Sequence, residues 1–339
     1  LARSNEVTVA APVRNAEEIS AAEALRGYGV GVETEYLTNG ASSARMAFGL
    51  VRGRPLSEGF FSAPRLVGAL SLKHRRTDYD LVVVHCSSVA AYVADWTGPL
   101  KVLDFVDMDS GKWQDYARDQ RTVKNLAYRY EAWSLARLER RLARKFDLCI
   151  TATPFEDESL HQIAGAVPSV VVPNGVDTAY FKAPAAGYDR NLICFLGRMD
   201  YLPNVMAVEG FCNDVWPQIR AQRPEATFRI IGAEPTRVVR ALGAIPGVEV
   251  TGSVPDVRPL VRGAACTVAP LTIARGTQNK VLESMAMGVP VVASSLAARG
   301  VDARPATDLV VADSAQAVAQ AVIRLMTDDV ERTQLASAG

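Results

Sequence analysis

The sequence predicts an α/β protein built from two doubly wound parallel sheets. Two observations predict it. Short β-branched runs alternate with helical patterns from end to end, and the alternation falls into two sets separated near Pro173–Gly187. Buried strands that are each followed by a helix imply parallel sheets covered on both faces. The separating stretch is rich in Pro, Gly and Ala, the composition of a linker, and divides the chain into 1–173 and 174–339. A chain of 339 residues is also too long for one small core.

In the first set, Val7–Pro12, Val32–Leu37, Asp80–Cys86, Lys101–Val106 and Leu148–Ala152 read as strands, and Ser169–Val172 leads into PNGVD. Helical spacing marks Ala16–Arg26, Pro64–Arg76 and the long Gly111–Phe146. In the second set the strands are Leu192–Leu196, Thr227–Ile231, Val248–Gly252, Cys266–Pro270, Val289–Ala293 and Leu309–Val311. The helices are Asn204–Gln222, Thr277–Met287 and Ser314–Met326, with another beginning near Asp329. The opening LARSNEVTVAAP reads as the end of a helix running into a strand, so a strand, loop and helix are expected ahead of Leu1.

Composition narrows the class. The chain is 49% hydrophobic and 22% charged, as in an ordinary globular protein. Its 37 basic and 37 acidic residues cancel, so no global field draws it to nucleic acid or to an anionic membrane. The five cysteines (Cys86, Cys149, Cys194, Cys212, Cys266) form no CxxC pair, and four lie in or beside apolar runs. That argues against a zinc site or a disulfide framework and fits a reducing cytoplasm. No stretch approaches the length of a membrane span, and none reads as a signal peptide.

Ligands of open α/β sheets bind beyond the carboxyl ends of the strands. In the second set those positions are Gly197–Arg198, Gly232–Glu234, Gly252–Ser253 and Leu271–Gln278, which are small, polar or cationic. Gly276, Thr277 and Gln278 precede a helix whose apolar face is Val281, Leu282, Met285 and Ala286. The amide groups at a helix start are unpaired and favour an anion, and Gly276 lets a phosphate come close. Thr277 can cap the helix or donate its hydroxyl. Lys280 and Glu283 follow in the first two turns, one suited to phosphate and the other to ribose hydroxyls. A capped amphipathic helix with both charges solvated accounts for the same pattern.

On the other side, LDFVDMDSGKW places Asp104, Asp107 and Asp109 after an apolar strand. Asp107 and Asp109 suit the orientation of an acceptor hydroxyl or the stabilisation of positive charge on a sugar. Asp109 or Ser110 equally suits a helix cap. His85 ends the run LVVVH, whereas His74 and His161 lie in polar helices and read as solvated. The segment Asn125–Phe146 is a basic helix carrying Tyr128, Tyr130 and Trp133. It suits either an anionic membrane surface or packing through Leu126, Trp133, Leu135, Leu138 and Leu142, with Glu131 and Glu139 in ordinary helical ion pairs. No metal cluster and no nucleophile–base pair is visible.

The run ARGTQNKVLESMAMGVPVVA (274–293) resembles the signature of the retaining GT-B glycosyltransferases of group 1, or family 4. PNGVD (173–177) and FLGRMDYLPN (195–204) are similar to that family's entry to its donor domain and its strand–loop turn, in family order and spacing. The resemblance implies two Rossmann-like domains facing across a cleft, the first lacking its opening strand and helix, and a metal-independent hexosyltransferase. It implies a UDP- or GDP-sugar as co-substrate and no permanently bound cofactor. Arg198 would neutralise the donor pyrophosphate with help from Lys280, while Gly276 and Thr277 offer backbone donors and Glu283 takes the ribose. With Gly197, Arg275 and Gln278 these residues form the expected donor site. The catalytic candidates are Asp107, Asp109, Arg198 and Lys280.

Two positions depart from the family pattern. Arg275 stands where a glutamate often touches the transferred sugar, and Tyr201–Asn204 stands where a lysine is common. In detail, the motifs look most like bacterial exopolysaccharide enzymes, including those of PEP-CTERM sorting loci. That implies a glycan or lipid-linked acceptor, no nucleic acid, and a cytoplasmic location with peripheral contact at the inner membrane face. The alternatives are a non-catalytic nucleotide-sugar-binding partner and another GT-B enzyme such as a nucleotide-sugar 2-epimerase.

Overall fold

The computed structural model describes residues 2–119, 124–183 and 187–339. Leu1, part of the expected helix Gly111–Phe146 and part of the expected linker Pro173–Gly187 lie outside the described residues. The chain divides into two compact units, Leu1–Val172 and Pro173–Gly339.

The first unit runs β1 (Thr8–Val13), α1 (Ala16–Leu25), β2 (Gly31–Tyr36), α2 (Asn39–Val51), α3 (Leu56–Phe60) and α4 (Pro64–His74). It continues β3 (Leu81–His85), α5 (Ser87–Ala90), β4 (Leu100–Val106), α6 (Asp109–Asp119), α7 (Lys124–Ala143), β5 (Leu148–Thr151), α8 (Pro154–Ala164) and β6 (Ser169–Val171). All its strands are parallel, in a two-stranded sheet β1-β2 and a four-stranded sheet β3-β4-β5-β6. Leu103 and Phe105 of β4 are buried against Leu135, Leu138 and Leu142 of α7 and Leu160 of α8. A smaller cluster joins Leu37 to Leu66 and Leu70 of α4. Residues 2–4 form a turn rather than the end of a helix.

The inward face of α7 differs from the expected stripe. Leu126 and Trp133 are 72% and 52% exposed, while Glu131 and Glu139 are buried. Among the described residues neither glutamate makes the helical ion pair expected of it. Glu131 accepts hydrogen bonds from the amides of Leu56 and Ser57, at 2.7 and 2.9 Å, and so caps α3, which has no side-chain cap of its own. A buried carboxylate needs such donors, and the amides of a helix start are unpaired. His74 is not solvated either. Its ring stacks on Trp96 at 4.2 Å, and His161 bonds to Ser169 and the carbonyl of Gly165.

The second unit contains β7 (Asp189–Leu196), α9 (Leu202–Gly210), a π-helical turn (Phe211–Val215), α10 (Trp216–Gln222), β8 (Thr227–Ile231), α11 (Arg237–Leu242) and β9 (Val248–Val250). Then come α12 (Arg258–Val261), β10 (Ala264–Ala269), α13 (Asn279–Ala286), β11 (Val291–Ala293), α14 (Ser295–Ala298), β12 (Val310–Val311), α15 (Ala315–Thr327) and α16 (Asp329–Ala338). The expected helix Asn204–Gln222 is thus broken by the π turn. Pro217 has no amide hydrogen for the preceding turn, and the ladder widens ahead of it.

The six strands are parallel in the order β12-β11-β10-β7-β8-β9. Along β7, Ile193 and Phe195 enter one core, while Leu192, Cys194 and Leu196 enter the other. Alternation into two apolar cores is what buries a parallel sheet on both faces. The order reverses between β7 and β10, which makes their carboxyl ends the topological switch point.

Candidate functional site

The β7 and β10 ends deliver the two loops that the sequence singled out. After β7, Gly197 adopts φ 152°, a conformation that suits glycine, and Arg198 is exposed. The Arg198 guanidinium forms a two-pronged pair with Asp200, Nε at 3.0 Å and Nη2 at 2.8 Å. Met199, between them, is fully buried and anchors the loop.

After β10, the loop reaches Gly276 at φ 57° and then α13. Thr277 does not cap the helix, contrary to expectation. Gln278 holds the cap position without a side-chain bond to the helix, and its Nε2 donates to the carbonyl of Arg275 at 2.9 Å. The reason is register: α13 begins at Asn279, too late for Thr277 to reach the second or third helical amide as a cap. The buried Thr277 hydroxyl has no hydrogen-bond partner among the described residues. Arg275 and Gln278 are half-buried in this loop. At the far end Gly288, at φ 65°, ends the helix.

Lys280 is where the two loops meet. Its Nζ donates to Oδ1 of Asn204, near the start of α9, and lies 4.6 Å from the centre of the Phe195 ring. Nδ2 of Asn204 in turn donates to the carbonyl of Arg198 at 2.9 Å. Burial pushes the ammonium down to about 8, against a smaller opposing pull from Glu283. Burial likewise raises the Glu283 carboxyl, and Lys280 moderates the rise. The structure therefore brings Gly197, Arg198, Lys280 and Glu283 to one sheet end, with Arg275, Gly276, Thr277 and Gln278 on the adjoining loop.

Two contributors carried no signal that reading the sequence used. Asn204 is 5% exposed, and in the sequence it stands only as the end of the 195–204 motif and the start of an expected helix, with no role of its own. Gly300 packs on the loop after β10, where a β-carbon would lie 2.0 Å from the carbonyl oxygen of Gly276.

The candidate acidic site of the first unit lies at the ends of β3 and β4. Asp107 is half-buried in the turn after β4, and Asp109 opens α6. Asp109 accepts from Lys112 and, at 3.5 Å, from Ser87. His85 Nδ1 lies 3.2 Å from Asp104 Oδ2. The caps expected of Asp109 or Ser110 come instead from distant carboxylates. The amide of Ser110 donates to Glu139 at 3.0 Å, and that of Met108 to Glu156 at 2.7 Å. Burial raises the Glu139 carboxyl to about 7, against the hydrogen bonds from Ser110. The same neighbourhood holds two side-chain-bearing residues in the left-handed region, Cys86 and Val106. Among the described residues no group of three His, Cys, Asp or Glu is placed to hold a metal ion.

Residues 190–328 match the family described as glycosyl transferases group 1. The matched stretch lies wholly within the second unit, and the match supports a glycosyltransferase enzyme. No curated protein sequence matches the chain. Among solved structures, sucrose-phosphate synthase from Thermosynechococcus elongatus is similar at a TM-score of 0.71 and 16% identity, over 98% of this chain and 93% of that one. HepE of Anabaena, solved with UDP and glucose, is similar at a TM-score of 0.64 and 15% identity, over 93% and 82%. TarM of S. aureus is similar at a TM-score of 0.63 and 12% identity over 80% of this chain, which spans 53% of the length of TarM. At such identities the likeness establishes the fold, and that fold is GT-B.

Proposed function

We propose that the chain transfers a sugar from a UDP- or GDP-sugar to a glycan or lipid-linked acceptor, with retention of configuration, during assembly of a bacterial exopolysaccharide or other cell-surface polysaccharide. The observation that carries this reading is the convergence of the Gly197–Arg198 loop and the 275–283 loop and helix at the β7–β10 switch point. A helix start without a side-chain cap, a flexible glycine and two cations suit a diphosphate. In this reading Arg198 exchanges Asp200 for the pyrophosphate, Lys280 adds charge, and Glu283 accepts from the ribose. Arg275 faces the sugar and selects it, while Asp107 and Asp109 serve the acceptor. HepE has been solved with UDP-glucose, which makes that donor the first to test. Family 4 membership rests on the 173–177, 195–204 and 274–293 motifs, and the PEP-CTERM branch on GRMDYLPNVMAV, ARGTQNKVLESMAMG and VDMDSGKW.

The test is a calorimetric binding screen of nucleotide sugars, repeated with Glu283→Ala and Arg275→Glu, followed by assay of nucleotide release with acceptor present. Binding that Glu283→Ala weakens roughly tenfold, the loss of about one charged hydrogen bond, supports the donor site. Binding without release under any acceptor would point to a nucleotide-sugar-binding partner instead. Interconversion of the free donor would point to an epimerase.

The lipid-linked acceptor gains support from α7. Leu126, Tyr130, Trp133 and Arg137 follow at intervals of four, three and four, so they share one helix face, and Arg137 stacks on Trp133 at 4.8 Å. With Glu131 and Glu139 turned inward, the outward face is aromatic and cationic, which suits an anionic leaflet. No described helix is long and apolar enough to cross a membrane. Cosedimentation with phosphatidylglycerol vesicles should be lost in a Trp133→Glu, Arg137→Glu double variant. Equal sedimentation with neutral vesicles would remove the electrostatic part of this reading.

A further inference from the structure

We propose that Asn204 is the positioning residue of the donor site, its side-chain amide clasping the Lys280 ammonium to the carbonyl of Arg198 and so presenting it, on a neutral partner, to a diphosphate at the switch point. The proposal rests on the donor-site reading and deepens it.

The geometry leaves the amide little freedom. Asn204 is almost fully buried at the start of α9, with its oxygen taken by Lys280 and its nitrogen by the Arg198 carbonyl. A β-carbon at Gly197 would lie 2.5 Å from Asn204 Nδ2, so the glycine provides the space the amide occupies. The loop after β7, the helix α9 and the helix α13 are thereby tied through one side chain.

The charges around Lys280 complete the case. From α9 it meets the neutral amide of Asn204, from β7 the Phe195 ring, and from its own helix Glu283, which favours the charged form only in part. An aspartate at position 204 would neutralise the ammonium and compete with an incoming anion. An amide orients it without doing so, which leaves the charge for the ligand. Because the site holds the ammonium without full compensation, an arriving diphosphate raises its proton affinity. Binding above about pH 8 is then accompanied by uptake of a proton at Lys280 Nζ, and affinity falls as pH rises, approaching tenfold per pH unit once the free lysine is mostly neutral.

The experiment is titration of the full chain with UDP and GDP, from about pH 7 to about pH 8.8, in buffers of different ionisation enthalpy. The unaltered chain should bind with proton uptake that grows across this range. Asn204→Ala should weaken binding about tenfold at neutral pH through loss of orientation. Asn204→Asp should weaken it as well, and should also abolish proton uptake, because its carboxylate keeps Lys280 charged throughout. A purely structural asparagine would lower thermal stability in both variants and leave the proton count unchanged. If neither variant folds, proton uptake by the unaltered chain decides. Absence of that uptake, or variants that bind with unaltered affinity and proton count, overturns the proposal while the donor site stands. Failure of the unaltered chain to bind either nucleotide overturns both.

Discussion

A β-carbon on Gly232 would lie 1.7 Å from the carbonyl oxygen of Gly197, so the ends of β8 and β7 approach as closely as backbone allows. Gly232 also sits at φ 158°, and the atom in the way is backbone that the parallel sheet holds in register. Gly232→Ala is therefore expected to cost at least about 3 kcal/mol in urea unfolding of the second unit. Gly197→Ala meets the end of the Asn204 side chain rather than backbone, so it should cost less stability and, by displacing that amide, more UDP affinity. Similar losses of stability in the two variants would contradict this.

Glu139 makes stability depend on pH with an unusual sign. Its folded value, about 7, lies above its ordinary value of 4.5, so the folded state holds the proton more tightly. The cost of burying the charge is absent below about pH 4.5, grows between about pH 4.5 and 7 as the unfolded chain ionises first, and is complete above about 7. Glu139→Gln keeps an acceptor for the Ser110 amide and removes that cost. Chemical denaturation should find it roughly 1–3 kcal/mol more stable than the unaltered chain at pH 8, and no more stable near pH 4. A variant equally affected at both pH values would show that the carboxylate is not the source.

Thr277 separates folding from ligand binding. Its buried hydroxyl lacks a partner among the described residues, so Thr277→Val should leave the melting temperature unchanged or raise it slightly. If the hydroxyl serves the donor phosphate, the same variant should bind UDP several-fold more weakly in calorimetry. Unchanged affinity would leave Thr277 with its backbone alone in the site.

Of the five thiols, four are buried and Cys86 is half-buried. Burial and the nearby Asp109 and Asp104 hold the Cys86 thiol up to about 11. Because thiolate is the reactive form, alkylation of the native chain at neutral pH should be slow and confined to Cys86. Mass spectrometry after brief maleimide treatment checks this, and rapid labelling of Cys194 or Cys266 would count against the packing described for β7 and β10.

Much of the fold was legible because β-branched runs ended by glycine mark buried parallel strands. Thr227–Ile231 was read at its observed limits, and Leu148–Ala152 to within one residue. Side-chain direction on α7 was not legible. Helical spacing cannot tell that Glu131 and Glu139 turn inward, because their partners are backbone amides far away in sequence. In the candidate site, strand ends were readable from glycine and charge. The Asn204 clasp was not, since it joins positions 76 residues apart through an uncharged side chain.

The break between Val172 and Pro173 severs no helix and no strand, and everything from Gly197 to Gly300 that shapes the candidate donor site lies on one side of it. A recombination event at that point would hand over every residue of that candidate site as a single inherited block.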